Sequence, residues 1–300
     1  MVSNEIKGTL LVFLTAFISG FAIVVNKFFV VRIDPVLFTA IRALFIGLAF
    51  FIISMIQNKF KLKRFKRVSW SYLLAIGIIG GGIAFLLFFT GLKMTMAGRA
   101  AFLHKTLPLY STALAFLFLK EKITKKLLLA MLIMLLGIYL MESDKIGYDI
   151  KFGDFLVIGA TVLWAVENTI AKKAMLQKET NWVVTFSRMF FGSLVLFSIL
   201  FLMGKGELLT TLTSQHILYI TISTLILTGY VLTWYWGLKY INLSKATTIL
   251  LISPIISLVL GYYWLNESVL LLQLAGSALI LIGAYLITQV KSERRVMPIE

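Results

Sequence analysis

A chain of 300 residues in which 60% are hydrophobic and only 14% are Asp, Glu, Lys or Arg departs from soluble domains, which are about half apolar and a quarter charged. That excludes an ordinary globular enzyme or a disordered chain and calls for lipid as solvent. The formal charge of +16 lies mostly in short segments between apolar runs, which speaks against a nucleic-acid partner; with no Cys, disulfides, a thiolate nucleophile and a cysteine-ligated metal are excluded, and with two His a histidine-based metal cluster is not expected, nor is any cofactor.

Apolar runs of spanning length fall at 8–30, 35–57, 69–92, 97–119 and 124–141, then at 153–172, 182–203, 214–238, 243–264 and 269–289. Backbone groups in hydrocarbon must be satisfied internally, so each run is expected to be a helix. The fold class is therefore an all-α integral membrane protein with ten transmembrane helices. The first run is too long for a signal-peptide core and reads as a retained helix.

Counting Lys and Arg between runs gives nineteen on one side, among them Lys7, the group Lys59, Lys61, Lys63, Arg64, Lys66 and Arg67, and Lys291, Arg294 and Arg295; six lie on the other. The positive-inside rule then makes both termini cytoplasmic in a multi-pass cell membrane protein. Anionic membrane lipid is a secondary partner of that basic face.

Along the chain, span 1 carries a small and polar stripe of Thr15, Ser19, Ala22 and Asn26. Arg42 lies about two turns into span 2, and span 3 has a small-residue face at Gly77, Gly81 and Ala84, continued by Phe88. In span 4, Ala101, Lys105, Pro108 and Thr112 share a face, with His104 beside Lys105. Glu167 is the one acid well inside a span; it shares a face of span 6 with Ala160, Trp164 and Ala171, and Asn168 adjoins it. A charged group at that depth is costly, so it faces a cavity or a partner. In span 8, Ser223, Leu227, Tyr230 and Trp234 recur at helical spacing, an aromatic wall that would oppose the glycine face of span 3.

The chain also matches itself at a constant offset of 146. Gly91-Leu92-Lys93 matches Gly237-Leu238-Lys239, Arg42 matches Arg188, and Pro108 matches Pro254. Leu119 and Glu121 match Leu265 and Glu267, and Gly137, Tyr139 and Leu140 match Gly283, Tyr285 and Leu286. Five spans per unit is an odd number, so the second unit enters the membrane inverted. The expected organisation is one five-helix repeat over 1–146, an inverted one over 147–290, and a cytoplasmic tail over 291–300.

Each unit has a fourth helix reading small-rich, then Pro, then Leu-x-Glu, followed by a Gly-x-Tyr-Leu fifth helix. In these features the chain resembles the EamA type of the drug/metabolite transporter superfamily. The resemblance implies a ten-helix permease with a central cavity that exports or exchanges small metabolites.

The candidate substrate-binding residues are Ser19, Asn26, His104, Lys105, Trp164, Glu167, Asn168, Tyr230 and Trp234. Lys105 would meet an anionic group and Glu167 an amine, which suits a zwitterion such as an amino acid. The plainer readings are a snorkelling Lys105, a packed His104 and a Glu167 hydrogen-bonded within the bundle. Glu167 is also the candidate for proton coupling, with exchange against a counter-substrate as the other driving force. Pro108 and Pro254 are candidate hinges, or static kinks. Arg42 and Arg188 read as structural, and Glu121 and Glu267 as capping or interfacial residues. No phosphate loop or hydrolase motif is present. The expected function is thus a secondary transporter acting by alternating access, as monomer or homodimer. A drug or lipophilic-cation efflux permease is the nearest alternative, with a membrane enzyme or lipid scramblase using Glu167 and His104 after it.

Overall fold

In the computed structural model, which describes residues 3–30, 33–57, 69–145, 149–177 and 179–293, all regular elements are helical. The first half comprises α1 (Asn4–Val30), α2 (Pro35–Gln57), α3 (Trp70–Ala75), which runs through a π-helical stretch (Ile76–Ile83) into α4 (Ala84–Met94), then α5 (Ala97–His104), α6 (Leu107–Phe118) and α7 (Lys125–Glu142). The second comprises α8 (Phe152–Leu176), α9 (Asn181–Leu202), α10 (Ser214–Tyr240), α11 (Leu243–Ile249), α12 (Ser253–Leu265) and α13 (Leu271–Thr288). Among the described residues, eight helices are long and apolar enough to cross a membrane.

Two of the ten expected runs fall outside that set. The run at 97–119 is not one helix: α5 ends at His104 and α6 begins at Leu107. Pro108 has no N–H to donate, and its ring would strike the carbonyl four residues back, which kinks or breaks a helix and here breaks it. It occupies instead the first turn of α6, where no N–H is needed. Pro254 sits likewise in the first turn of α12, after a single 3-10 turn at Leu250–Ile252. The run at 124–141 forms α7, an 18-residue helix that includes Lys125, Lys126 and Glu142. The basic segment at 58–68, Arg32, and the tail from Arg294 onward lie outside the described residues.

Helix starts reflect local chemistry. Thr124, Thr180 and Thr213 each accept a hydrogen bond from an N–H in the first turn of α7, α9 and α10. His216 serves the last of these caps. Asp34 caps α2, its Oδ1 accepting from Val36 N at 2.9 Å and Leu37 N at 3.3 Å, while Oδ2 accepts from Lys205 Nζ at 2.9 Å. Burial alone would raise the Asp34 carboxyl, but the hydrogen bonds from Lys205, Leu37 and Val36 and the lysine charge outweigh it and hold the group below its usual range. A carboxylate so lowered contributes stability above the unfolded-state value, about 3.9 for Asp, and loses it as pH falls through the folded-state value. Asp34→Asn should therefore lower Tm at neutral pH, with the gap to the parent closing in acid as pH falls through the folded-state value. A gap that persists in acid would contradict this.

The most extensive packing pairs α7 with α13, α2 with α9, α1 with α10, and α4 with α8; α6 also packs on α8, and α12 on α1. Every one of these pairs joins an element of the first half to one of the second. The main core, built around Trp234, Tyr235, Leu73, Ile76 and Met134, is shared by both halves.

Candidate functional site

Several polar assemblies lie within this bundle among the described residues. The first is a cavity of about 590 Å³ between α5, α7, α12 and α13, with Ile23 of α1 on its wall. Ala101 and Lys105 line it from the broken helix, Pro254 and Ser257 from α12, and Glu142, Asp144, Glu267 and Gln273 from the ends of α7, α12 and α13. The break after α5 is what turns Lys105 across the cavity, where its Nζ donates to Ser253 Oγ at 2.6 Å. One ammonium and three carboxylates thus share a cleft of a size that takes small organic solutes. Such a cleft attracts cationic groups by its net charge and offers one fixed cation to an anionic group.

The second assembly is buried. Glu167 is fully inaccessible; its Oε2 lies 3.1 Å from Arg188 Nη1 and its Oε1 accepts from the Tyr235 hydroxyl at 2.7 Å. Arg188 Nη1 also donates to the Tyr235 oxygen at 3.1 Å. One turn away, Trp164 Nε1 donates to Gly80 O at 3.0 Å, Asn168 Nδ2 to Trp164 O at 2.8 Å, and Trp234 Nε1 to Asn168 Oδ1 at 2.9 Å. The close approach depends on the π-helical stretch: a Cβ at Gly80 would lie 2.8 Å from Glu167 Cβ and Cδ, and one at Gly81 would lie 2.8 Å from Gly192 Cα.

The expected site residues are therefore divided. Trp164, Glu167, Asn168 and Trp234 come together in the buried network, with Tyr230 in electrostatic reach of both Glu167 and Arg188. His104 is packed between the rings of Phe88 and Trp164, at centroid distances of 5.5 and 4.9 Å. Of the expected substrate-binding residues, Lys105 lines the cavity, together with the candidate hinge Pro254. Asn26 stands elsewhere, accepting from Ser223 Oγ at 2.6 Å, which in turn accepts from Arg42 Nη1 at 2.6 Å. Ser19 is partly exposed on α1 beside Gly20, whose carbonyl accepts from Ser257 Oγ.

In the described conformation Glu167 is held by Arg188 and Tyr235 and stands outside the lining of the cavity that Lys105 enters. The glycine face of span 3 packs on α9 and Glu167 rather than opposing an aromatic wall across a solute. Arg188, read from the sequence as structural, is the partner of Glu167; its signal in the sequence is a cation at spanning depth, since a buried charge needs a counter-charge. Tyr235 carries no signal apart from its neighbours.

A bundle of apolar helices with broken helices meeting at a polar cavity is the architecture of a membrane transport protein. The model of the EamA-like transporter family matches this chain twice, over residues 6–143 and 151–289, and the chain belongs to that family. An uncharacterized transporter of Archaeoglobus fulgidus is 27% identical over 288 residues, covering 94% of this chain and 99% of the relative. The uncharacterized transporter YoaV of Bacillus subtilis is 27% identical, covering 92% and 95%. The riboflavin transporter ImpX of Fusobacterium nucleatum is 26% identical, covering 94% and 97%. A solved crystal structure superposes with a TM-score of 0.76 at 16% identity over 94% of this chain and 98% of the other, a likeness of fold.

Proposed function

We propose that the chain is a secondary transporter of the cell membrane, with ten spans in two inverted repeats (1–146 and 147–290), which carries small amphipathic metabolites through the Lys105 cavity by alternating access. The repeat reading is supported by the packing, since the pair α1–α10 mirrors α8–α4 and the pair α12–α1 mirrors α6–α8. It is supported again by two helices broken at corresponding prolines, the candidate hinges Pro108 and Pro254. The described basic residues Lys7, Lys120, Lys122, Lys125 and Lys126 share one end of the bundle in this reading, which makes that end and both termini cytoplasmic.

The observation that carries the cargo assignment is Lys105, an ammonium reaching from one half of the chain to Ser253 of the other at the wall of a cavity. An anionic or strongly accepting group on the solute would replace Ser253. The carboxylates of Glu142, Asp144 and Glu267 would receive a cationic group, so amino acids stay within the class. A riboflavin-like ring system with polar arms fits the same description, and the ImpX relative favours its inclusion. Those carboxylates also favour the second reading, efflux of lipophilic cations. Exchange of one solute for another, or for protons held by these cavity carboxylates, drives transport in this scheme. Ten spans can enclose the cavity in a monomer, and a homodimer is compatible with it.

The test is a thermal-stability screen of purified protein against amino acids, riboflavin and quaternary ammonium ions, and then flux of the hits into liposomes. A stabilising solute should cross unchanged, and Lys105→Ala should lower its flux at least about tenfold, as expected for losing one charged hydrogen bond. Equal flux in the variant would remove Lys105 from the site; a chemically altered product or scrambled lipid would replace transport by another activity.

A further inference from the structure

Arg42 on α2 and Arg188 on α9 are 8% exposed each, yet their surroundings differ in charge. Arg188 faces the carboxylate of Glu167. The hydrogen-bond partners of Arg42 are all neutral: Nε donates to Phe38 O at 3.2 Å, Nη1 to Ser223 Oγ at 2.6 Å and Nη2 to Thr39 Oγ1 at 3.3 Å. Its guanidinium also lies 4.0 Å from the centroid of the Phe38 ring. A ring face and neutral oxygens solvate a cation in part, but they leave its charge uncancelled.

No acid stands to Arg42 as Glu167 stands to Arg188. The positions 146 before Glu167 and Tyr235 hold Phe21 and Phe89. Among the described residues, no ion pair involves Arg42. The acid nearest to it in sequence, Asp34, is eight positions away, about 12 Å at the helical rise. That carboxylate is engaged by Val36 N, Leu37 N and Lys205 Nζ.

Donors remain beside this unbalanced charge. With Nε and one N–H of each terminal nitrogen engaged, the guanidinium keeps a second N–H on Nη1 and on Nη2. Ser223 Oγ donates to Asn26 Oδ1 at 2.6 Å, which orients the amide and leaves Nδ2 without a hydrogen bond among the described residues. Ser223 and Thr39 are buried and Asn26 is half-buried, so the cluster has a fixed floor and is accessible at Asn26. Asn26 lies three positions along α1 from Ile23, a residue of the cavity wall, about 4.5 Å further by the helical rise.

We infer that Arg42 and Asn26, held in place by Ser223, form a subsite for an oxyanion, a carboxylate or phosphate-type group whose charge balances the guanidinium. Paired oxygens suit it because two N–H groups of the planar fork can meet them side by side. Arg188 has a resident carboxylate; Arg42 receives its own from a ligand. As an entry point for the anionic end of a solute bound for the Lys105 cavity, the subsite rests on the proposed transport function. As an anion site it stands on the geometry of Arg42 alone.

The test is the Tm of the purified full chain against sodium acetate and inorganic phosphate, in the parent, Asn26→Asp and Arg42→Gln. Asn26→Asp keeps an oxygen for Ser223 and places a permanent carboxylate beside Arg42. Each anion at about ten times its Kd should raise the parent by about 3 °C beyond any rise in the two variants. The comparison removes the general stabilisation that salts exert by exclusion from the protein surface. If Arg42→Gln fails to fold, Asn26→Asp alone carries the comparison. An equal response in parent and variants, to both anions and to lipid, overturns the subsite. The lipid arm uses phosphatidylcholine vesicles with and without phosphatidylglycerol, free of added anion. A rise confined to the parent assigns the oxyanion to a headgroup if phosphatidylglycerol evokes it, and to a soluble ligand if acetate or phosphate does. Full flux in Lys105→Ala would remove the transport role and leave the anion response of the parent intact.

Discussion

Arg188→Met should cost about 3–5 kcal/mol of stability, the usual result of leaving one member of a buried ion pair without its partner. The side chain it removes faces a Glu167 that is fully inaccessible and otherwise held by a single hydrogen bond from Tyr235. Glu167→Gln should cost less, since the amide still accepts from Tyr235 but leaves the guanidinium unbalanced. The double variant Glu167→Gln with Arg188→Met should be more stable than Arg188→Met alone, because no unpaired charge then remains at this site. Denaturant titration in detergent, comparing the two single variants with the double, measures the coupling directly. Strict additivity would mean that the two residues do not act as a pair.

The second large effect is expected at Gly80. A methyl there meets Glu167 Cβ and Cδ at 2.8 Å, and the glutamate cannot swing aside without giving up Arg188 and Tyr235. Overpacking of this kind costs about 1–3 kcal/mol, and a blocked escape puts Gly80→Ala at the upper end. The carbonyl of the same residue receives Trp164 Nε1, so any shift of the π-helical stretch also loosens that bond. Introducing Gly80→Ala into a Glu167→Ala background should recover most of the loss, because the truncated side chain leaves room for the new methyl. A penalty of equal size in both backgrounds would point to backbone strain at residue 80 in place of a clash.

These two sites show which features can be read from the order of residues. The spanning runs, the matched prolines and the significance of a carboxylate at Glu167 emerge from hydropathy, repeat spacing and the cost of burying charge. The partner of Glu167 does not, because it comes from α9 and which face of α9 meets α8 is decided by the glycines of the π-helical stretch. Lys105 is legible as a candidate, yet its direction depends on a helix break that hydropathy does not register; the apolar run passes straight through 105–106. The similarity of two stripes groups Asn26 with Glu167, but Arg42 and Ser223 hold it in a separate network. Periodicity identifies the face of a helix, whereas the neighbour across that face is set by close packing between segments far apart in the chain.

Arg42 and Arg188, 146 positions apart, both reach α10, the first through Ser223 and the second through Tyr235. Twelve positions at 1.5 Å rise place these two grips about 18 Å apart along one rod. A rod pinned at two such bearings can slide or twist little; it can swing only by pivoting on one while the other lets go. Movement of α10 would then be a choice between two fulcra, and shortening either arginine should make the opposite one the sole axis of tilt.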